Sequence, residues 1–242
     1  MFKKKEPGKQ VKINNDALTF LTYQYQHINI ERLKHLDTLG LGVEGKRILD
    51  LGAGIGDHSL FYLYKNCEVT ALEGRKDLVD FINERLNLSA SCVNFEEELN
   101  LLEQYRNYDF AHCFGLLYHL KNPEEFLHSV AKTANVLLLE TIVSNESLDD
   151  INLIAEDSKN STQAISGIGC RPNRKWLYIK LKTIFKHVYI PLTQPNHDQF
   201  PKDWTNSPKG MSHSRIFFIG SHIELDSPLL TEEFILIHND EV

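Results

Sequence analysis

Methionine and tryptophan are scarce, two of each in 242 residues, and no apolar run approaches the roughly 18 residues that a membrane-crossing helix needs. Cysteine is sparse too. Cys67, Cys92, Cys113 and Cys170 form no CxxC pair, which argues against a zinc site or a redox dithiol and fits isolated thiols in a reducing compartment. Positive charge is in deficit, with Lys+Arg 26 against Asp+Glu 33 and a net charge of −7 at pH 7, so a long nucleic-acid footprint is not expected. The opening Met1-Phe2-Lys3-Lys4-Lys5-Glu6-Pro7 has lysines with no apolar stretch behind them, so no secretory signal is expected and the expected location is cytoplasmic. What remains is ordinary: hydrophobic content of 42% and charged content of 24% suit a globular chain. The length suffices to bury a core without staples, and one domain is the expectation.

The pattern along the chain supports that reading. Residues 1–14 are polar and lysine-rich, an arm without periodicity. From Asn15 or Asp16, Leu18, Leu21, Tyr25, Ile28, Leu33 and Leu36 recur at helical steps. Strands are then expected at 47–51, 68–73, 91–95, 108–114 and 136–143. Helices alternate with them, starting near Asp57, Asp77 and Pro123, where proline suits the first helical position and acids the first turn. Regular alternation of strand and helix implies a mostly parallel sheet covered by helices on both faces, an α/β class. Residues 144–170 are polar and irregular, a long connection of the kind that forms lids. A helix is expected from Pro172, a strand at 187–192 and a last strand at 215–221.

The strongest local signal is Leu49-Asp50-Leu51-Gly52-Ala53-Gly54-Ile55-Gly56-Asp57. Glycines at steps of two, between a strand and a helix, let the backbone turn sharply and approach a ligand. The dinucleotide fingerprint GxGxxG fails, because Asp57 stands where its last glycine belongs, and no Gly-Lys-Ser/Thr ending makes a Walker loop. Asp57 would also repel a pyrophosphate, so a ligand with an amino-acid end fits better. Glu73 ends the next strand, where a carboxylate accepts two hydrogen bonds from a ribose diol. Asn94 and Phe95 follow the third strand, an amide beside an aromatic that suits an adenine.

Together these residues resemble the class I S-adenosylmethionine-dependent methyltransferases. Residues 48–56 look like that family's motif I, Glu73 matches its acid after the second strand, and the resemblance runs over about 45–143. It implies a Rossmann-like fold with a seven-stranded sheet whose last strand is antiparallel. It implies S-adenosyl-L-methionine as cofactor and a single methyltransferase domain over 1–242. Residues 1–44 would form an N-terminal helical cap and 144–214 a substrate-side insertion or lid. The implied cofactor-binding set is Asp50, which would face the methionine-side amine, with Gly52, Gly54, Gly56, Glu73, Asn94, Phe95 and Phe114. Asn94 departs from the aspartate often found there, and its amide oxygen can still accept from the adenine amino group.

The stretch Gly115-Leu116-Leu117-Tyr118-His119, with Pro123 four residues on, resembles a subgroup that acts on sugars and small metabolites and includes a tRNA-uridine branch. Candidate catalytic residues are His119, Tyr118 and Glu140. His119 is either a general base or a wall of the pocket, and Glu140 orients substrate, tunes His119 or caps a helix. No DxH, HxD or three-carboxylate cluster stands where a catechol-type magnesium site needs it, so no metal is expected. Arg171 and Arg174 could meet a phosphate or carboxylate, and Trp204, Asn196 and Asp198 could read a polyhydroxylated ligand. The expected reaction is methyl transfer to an oxygen or nitrogen of a small molecule or glycan. A nucleic-acid modifying transferase and a non-catalytic cofactor-binding protein are the alternatives, and oligomeric state is open.

Overall fold

The computed structural model describes residues 15–144, 150–205 and 213–240. The expected polar arm, its lysines, and the 145–149 and 206–212 stretches of the expected insertion lie outside the described residues. The N-terminal periodicity resolves into two helices rather than one: α1 (Asn15–Phe20) and α2 (Tyr23–Thr38), interrupted where Thr22 turns to extended backbone at φ −66 and ψ 151. Then follow β1 (Arg47–Leu51), α3 (Asp57–Tyr64), β2 (Glu68–Glu73), α4 (Lys76–Leu86), β3 (Ser91–Cys92), β4 (Tyr108–Phe114), α5 (Pro123–Val130) and β5 (Ala134–Ser144). Pro123 opens α5 as its position in the sequence suggests. Asp77 lies inside the first turn of α4 rather than capping it. The third strand is shorter than expected, so Asn94 and Phe95 fall in the turn beyond it.

The C-terminal part adds a short hairpin of β6 (Leu153–Ala155) and β7 (Ile168–Cys170), then α6 (Arg174–Ile184), β8 (His187–Pro191), β9 (His213–Ser221) and β10 (Leu230–Thr231). α6 begins after Asn173, whose side chain accepts from the backbone N–H groups of Lys175 and Trp176, so Asn173 and not Pro172 starts it. The main sheet runs β10-β8-β9-β5-β4-β1-β2-β3. β3, β2, β1, β4 and β5 pair in parallel, and β9 is antiparallel to both β5 and β8. The expected seven strands with an antiparallel last one are therefore present, with β10 as an eighth, edge strand antiparallel to β8.

Alternation sorts the core into two faces. From β4 and β5, Ala111, Cys113, Leu137 and Leu139 join Phe126 and Leu127 of α5 and Leu177 and Leu181 of α6. Phe110, Phe114, Val136 and Leu138 face the other way, with Ile28 and Leu36 of α2 and Tyr62 of α3. Strands buried on both faces explain the unbroken apolar run at 136–139. The parallel strands all end at one edge, where a change in strand order opens a crevice between β1 and β4.

Candidate active site

At that edge the chain leaves β1 through three left-handed glycines, Gly52 (φ +72), Gly54 (φ +58) and Gly56 (φ +83), a conformation that side chains disfavour. A Cβ on Gly54 would stand 3.0 Å from the Phe20 ring, and one on Gly56 would meet Leu86 at 2.7 Å. Gly56 thus packs the loop against α4, while Gly52 and Gly54 face a cavity of about 480 Å³. That volume lies within the range of small-molecule sites.

Glu73 also faces this cavity. Its two carboxylate oxygens accept from the backbone N–H of Gly54 and of Arg75, both at 2.9 Å, so the acid that ends β2 shapes the glycine loop. Burial pushes the Glu73 carboxyl up, against the holding effect of those N–H groups. Asn94, Phe95 and Phe114 stand in the same wall. Asp50 does not. Its side chain is fully buried beneath the loop, where Oδ2 accepts from Ser59 Oγ at 2.6 Å, and burial pushes its carboxyl up to about 7. Asp50 shares a face of β1 with Ile48, the face covered by α3, while Leu49 and Leu51 point to the other, so it does not reach the cavity as expected.

The opposite side of the cavity is built by a 3-10 turn, Leu117–His119, just after β4. His119 Nδ1 lies 2.5 Å from Glu156 Oε2. Glu156 is also held by Arg171 Nη2 at 2.9 Å and by the N–H of Ala164 at 2.7 Å. Burial would raise the Glu156 carboxyl, but His119, Ala164 N–H and Arg171 outweigh it and bring it down to about 2. Burial holds the His119 imidazole below its ordinary value, although Glu156 pulls upward. Among the described residues, Nε2 of His119 has no hydrogen-bond partner.

Tyr118 lies between Arg171 and Arg215, each 5.1 Å from its ring centre, and accepts from Arg215 Nη2 at 3.2 Å. Glu140 sits behind this group, fully buried and outside the cavity wall. Arg32 and Arg215 approach its two oxygens at 3.0 Å each, and they hold its carboxyl down despite the burial that would raise it. Its position is that of an anchor for two arginines rather than a capping group.

Other sequence candidates lie elsewhere. Arg174 is buried between the rings of Trp204 and Phe234, at 4.7 and 4.5 Å, because a guanidinium stacks well on aromatic faces. Neither it nor Trp204, Asn196 or Asp198 lines the cavity, so the 194–204 segment is not the wall that its composition suggested. Conversely, Glu156, Arg32 and Arg75 carried no sequence signal. Arg75 Nη2 donates to the carbonyls of Ser158, Asn160 and Gln163 at 3.0–3.2 Å and fastens the 156–165 stretch over the cavity.

Comparisons with known proteins agree with this geometry. A family described as "Methyltransferase domain" matches residues 23–188. An uncharacterized methyltransferase of Staphylococcus carnosus is 26% identical over 153 residues, covering 60% of this chain and 69% of that protein. A ubiquinone biosynthesis O-methyltransferase of Shewanella halifaxensis is 28% identical over 49% of this chain and 53% of its own length. Among solved structures, the N-terminal domain of EvdMO1, determined with S-adenosylhomocysteine and D-fucose, superposes with a TM-score of 0.61 at 19% identity, covering 79% of this chain and 81% of that one. The 1,6-didemethyltoxoflavin-N1-methyltransferase of Burkholderia thailandensis gives 0.54 at 16% identity, over 85% and 84% of the two chains. The chain belongs to the class I S-adenosylmethionine-dependent methyltransferases.

Proposed function

We propose that this enzyme methylates a hydroxyl oxygen or an amine nitrogen of a small molecule or glycan, with His119 accepting the acceptor's proton. The observation that carries the reading is the His119–Glu156 contact. A carboxylate on Nδ1 favours the tautomer with a proton there, which leaves the lone pair on Nε2. The same cavity reaches from this nitrogen to Gly52, Gly54 and Glu73.

The bound cofactor would supply a methyl group on a sulfonium, whose departing thioether is neutral. Most of what the chain must do is then alignment, which contributes roughly 7–11 kcal/mol in well-oriented reactions. Gly52 and Gly54 admit the methionine end, Glu73 meets the ribose hydroxyls, and Asn94 and Phe95 take the adenine. Tyr118, clamped between Arg171 and Arg215, gives the acceptor a rigid wall. His119 then removes the proton that a hydroxyl must lose to become a good nucleophile. The named activities of the relatives, on an oxygen in one and a nitrogen in another, suit a small acceptor. A nucleic-acid acceptor has less support, because the net charge is −7 and Arg174 is enclosed by Trp204 and Phe234.

Calorimetry with S-adenosylhomocysteine tests the cofactor half. Micromolar binding is expected, and Gly54→Arg should abolish it, since the longer side chain must adopt φ +58 and displace Phe20. Retained affinity in that variant would overturn the assignment of the loop. A screen of hydroxyl and amine acceptors, read by S-adenosylhomocysteine release, tests the other half, and turnover confined to RNA would overturn it.

A further inference from the structure

Beneath the glycine loop lies a group of side chains to which the proposed methyl transfer assigns no role. Asp50 is near the end of β1, His112 is its register partner on β4, and His58 stands in the first turn of α3. All three are buried, and one ligand-type atom from each lies within 4.8 Å of the others. Two of the three are already fastened by an outer atom. Ser59 Oγ donates to Asp50 Oδ2 at 2.6 Å, and the Tyr62 hydroxyl lies 2.9 Å from His112 Nδ1. The atoms left over, Asp50 Oδ1, His58 Nε2 and His112 Nε2, have no hydrogen-bond partner. Buried polar atoms are nearly always paired, so an orphan on each of three side chains that come together here points to something they hold in common.

We propose that Asp50, His58 and His112 form a binding site for a divalent cation of the Zn²⁺ class. Two imidazole nitrogens and one carboxylate oxygen are a donor set such ions take, at about 2.0–2.2 Å. Binding would draw the three atoms, now within 4.8 Å of one another, closer together around the ion. Hard cations such as Mg²⁺ and Ca²⁺, which prefer all-oxygen cages, fit the two imidazoles poorly. Ser59 and Tyr62 act as the outer shell, orienting the carboxylate and one imidazole through the atoms that face away from the ion. His58 also lines the cofactor cavity, which provides the way in. An ion here joins the end of β1, the start of α3 and β4, the three elements that frame Gly52–Gly56, so its role is to stiffen the cofactor loop. The ligands are 8 and 54 residues apart, which is why no metal spacing is visible in the sequence.

The site is tested on the full chain after chelator treatment, by titration with Zn²⁺ against a chromophoric chelator and with Co²⁺ followed by absorption. One ion per chain is expected, at micromolar affinity or tighter, with a rise in Tm on saturation. His58→Ala and Asp50→Asn should each weaken uptake by more than about tenfold, and Tyr62→Phe by about tenfold, the scale of an outer-shell loss. A wild-type chain that takes up no stoichiometric ion overturns the proposal, and an ordered water then satisfies the three atoms. Uptake unchanged in both ligand variants, or a Co²⁺–thiolate band from exposed Cys92, overturns it as well.

Discussion

Glu73 holds the glycine loop as well as facing the cavity, so its two jobs must be separated by choice of substitution. Glu73→Ala should weaken S-adenosylhomocysteine by roughly 1.5–3 kcal/mol, the scale of hydrogen bonds to a charged group. Glu73→Gln keeps the size and one acceptor oxygen, and should lose less. Equal affinity of all three proteins in calorimetry would remove Glu73 from the ribose site. His119 makes a sharper case. A base must be neutral to work, so the rate climbs as pH rises through its pKa. Burial sets that acidic limb below the ordinary imidazole value of 6.5. His119→Ala should cut turnover by about 100-fold. Glu156→Gln removes the carboxylate that favours the imidazolium, so the limb should move to still lower pH while turnover falls. A limb that stays in place in Glu156→Gln, with the correct acceptor, would mean that Glu156 only closes the wall. The motif from Asp50 to Gly56 was readable because its constraint is local, a sharp turn between a strand and a helix. Glu156 and Arg32 were not, since each gains meaning only from a partner far along the chain, His119 and Glu140.

Among the elements, legibility follows length and burial. β1 and β5 announced themselves as apolar runs because a parallel strand is covered on both faces, and β2 and β4 read as strands in the alternation with helices. β6, β7 and β10, of two or three residues each, offer no alternation to read. β6 pairs with β7 and β10 with β8, partners that only the tertiary fold brings together. The break between α1 and α2 was equally hidden, as Leu18 and Leu21 keep helical spacing across it yet are exposed at 49% and 41%. β9 shows how tightly the long strands are set. A Cβ on its Gly220 would stand 2.4 Å from Phe185 Cδ2, so α6 and the turn after it rest directly on bare backbone. Gly220→Ala should therefore destabilise the fold by about 1–3 kcal/mol, the usual penalty of overpacking. Adding Phe185→Leu should return part of that loss, because it removes the ring that the methyl group strikes. Urea midpoints of the single and double variants give the answer, and a neutral single variant would mean that Phe185 swings away freely.

At the scale of the whole molecule, two buried histidines join segments distant in sequence and make stability depend on pH. His35 of α2 contacts Thr193 at 3.1 Å, and His238 contacts the Pro191 carbonyl at 2.9 Å and Gln194 at 3.2 Å. Together they fasten the N-terminal helices and the C-terminal tail to the loop after β8. Burial lowers both imidazoles from 6.5 to about 4. Above pH 6.5 neither the folded nor the unfolded chain protonates them, and their full contribution is present. As pH falls below 6.5 the unfolded chain binds protons that the folded protein refuses, so stability declines until about pH 4. These two groups together contribute up to about 2.7 kcal/mol per pH unit of that slope. Glu156, held at about 2, withdraws its own contribution only below its unfolded value of 4.5, so the two windows separate. His238→Gln keeps an amide able to donate to the Pro191 carbonyl but cannot titrate. Urea unfolding across pH 4–7 should then lose one proton's worth of slope, about 1.4 kcal/mol per pH unit, between 6.5 and 4. An unaltered slope would place the acid sensitivity elsewhere and leave the tail anchored by packing alone.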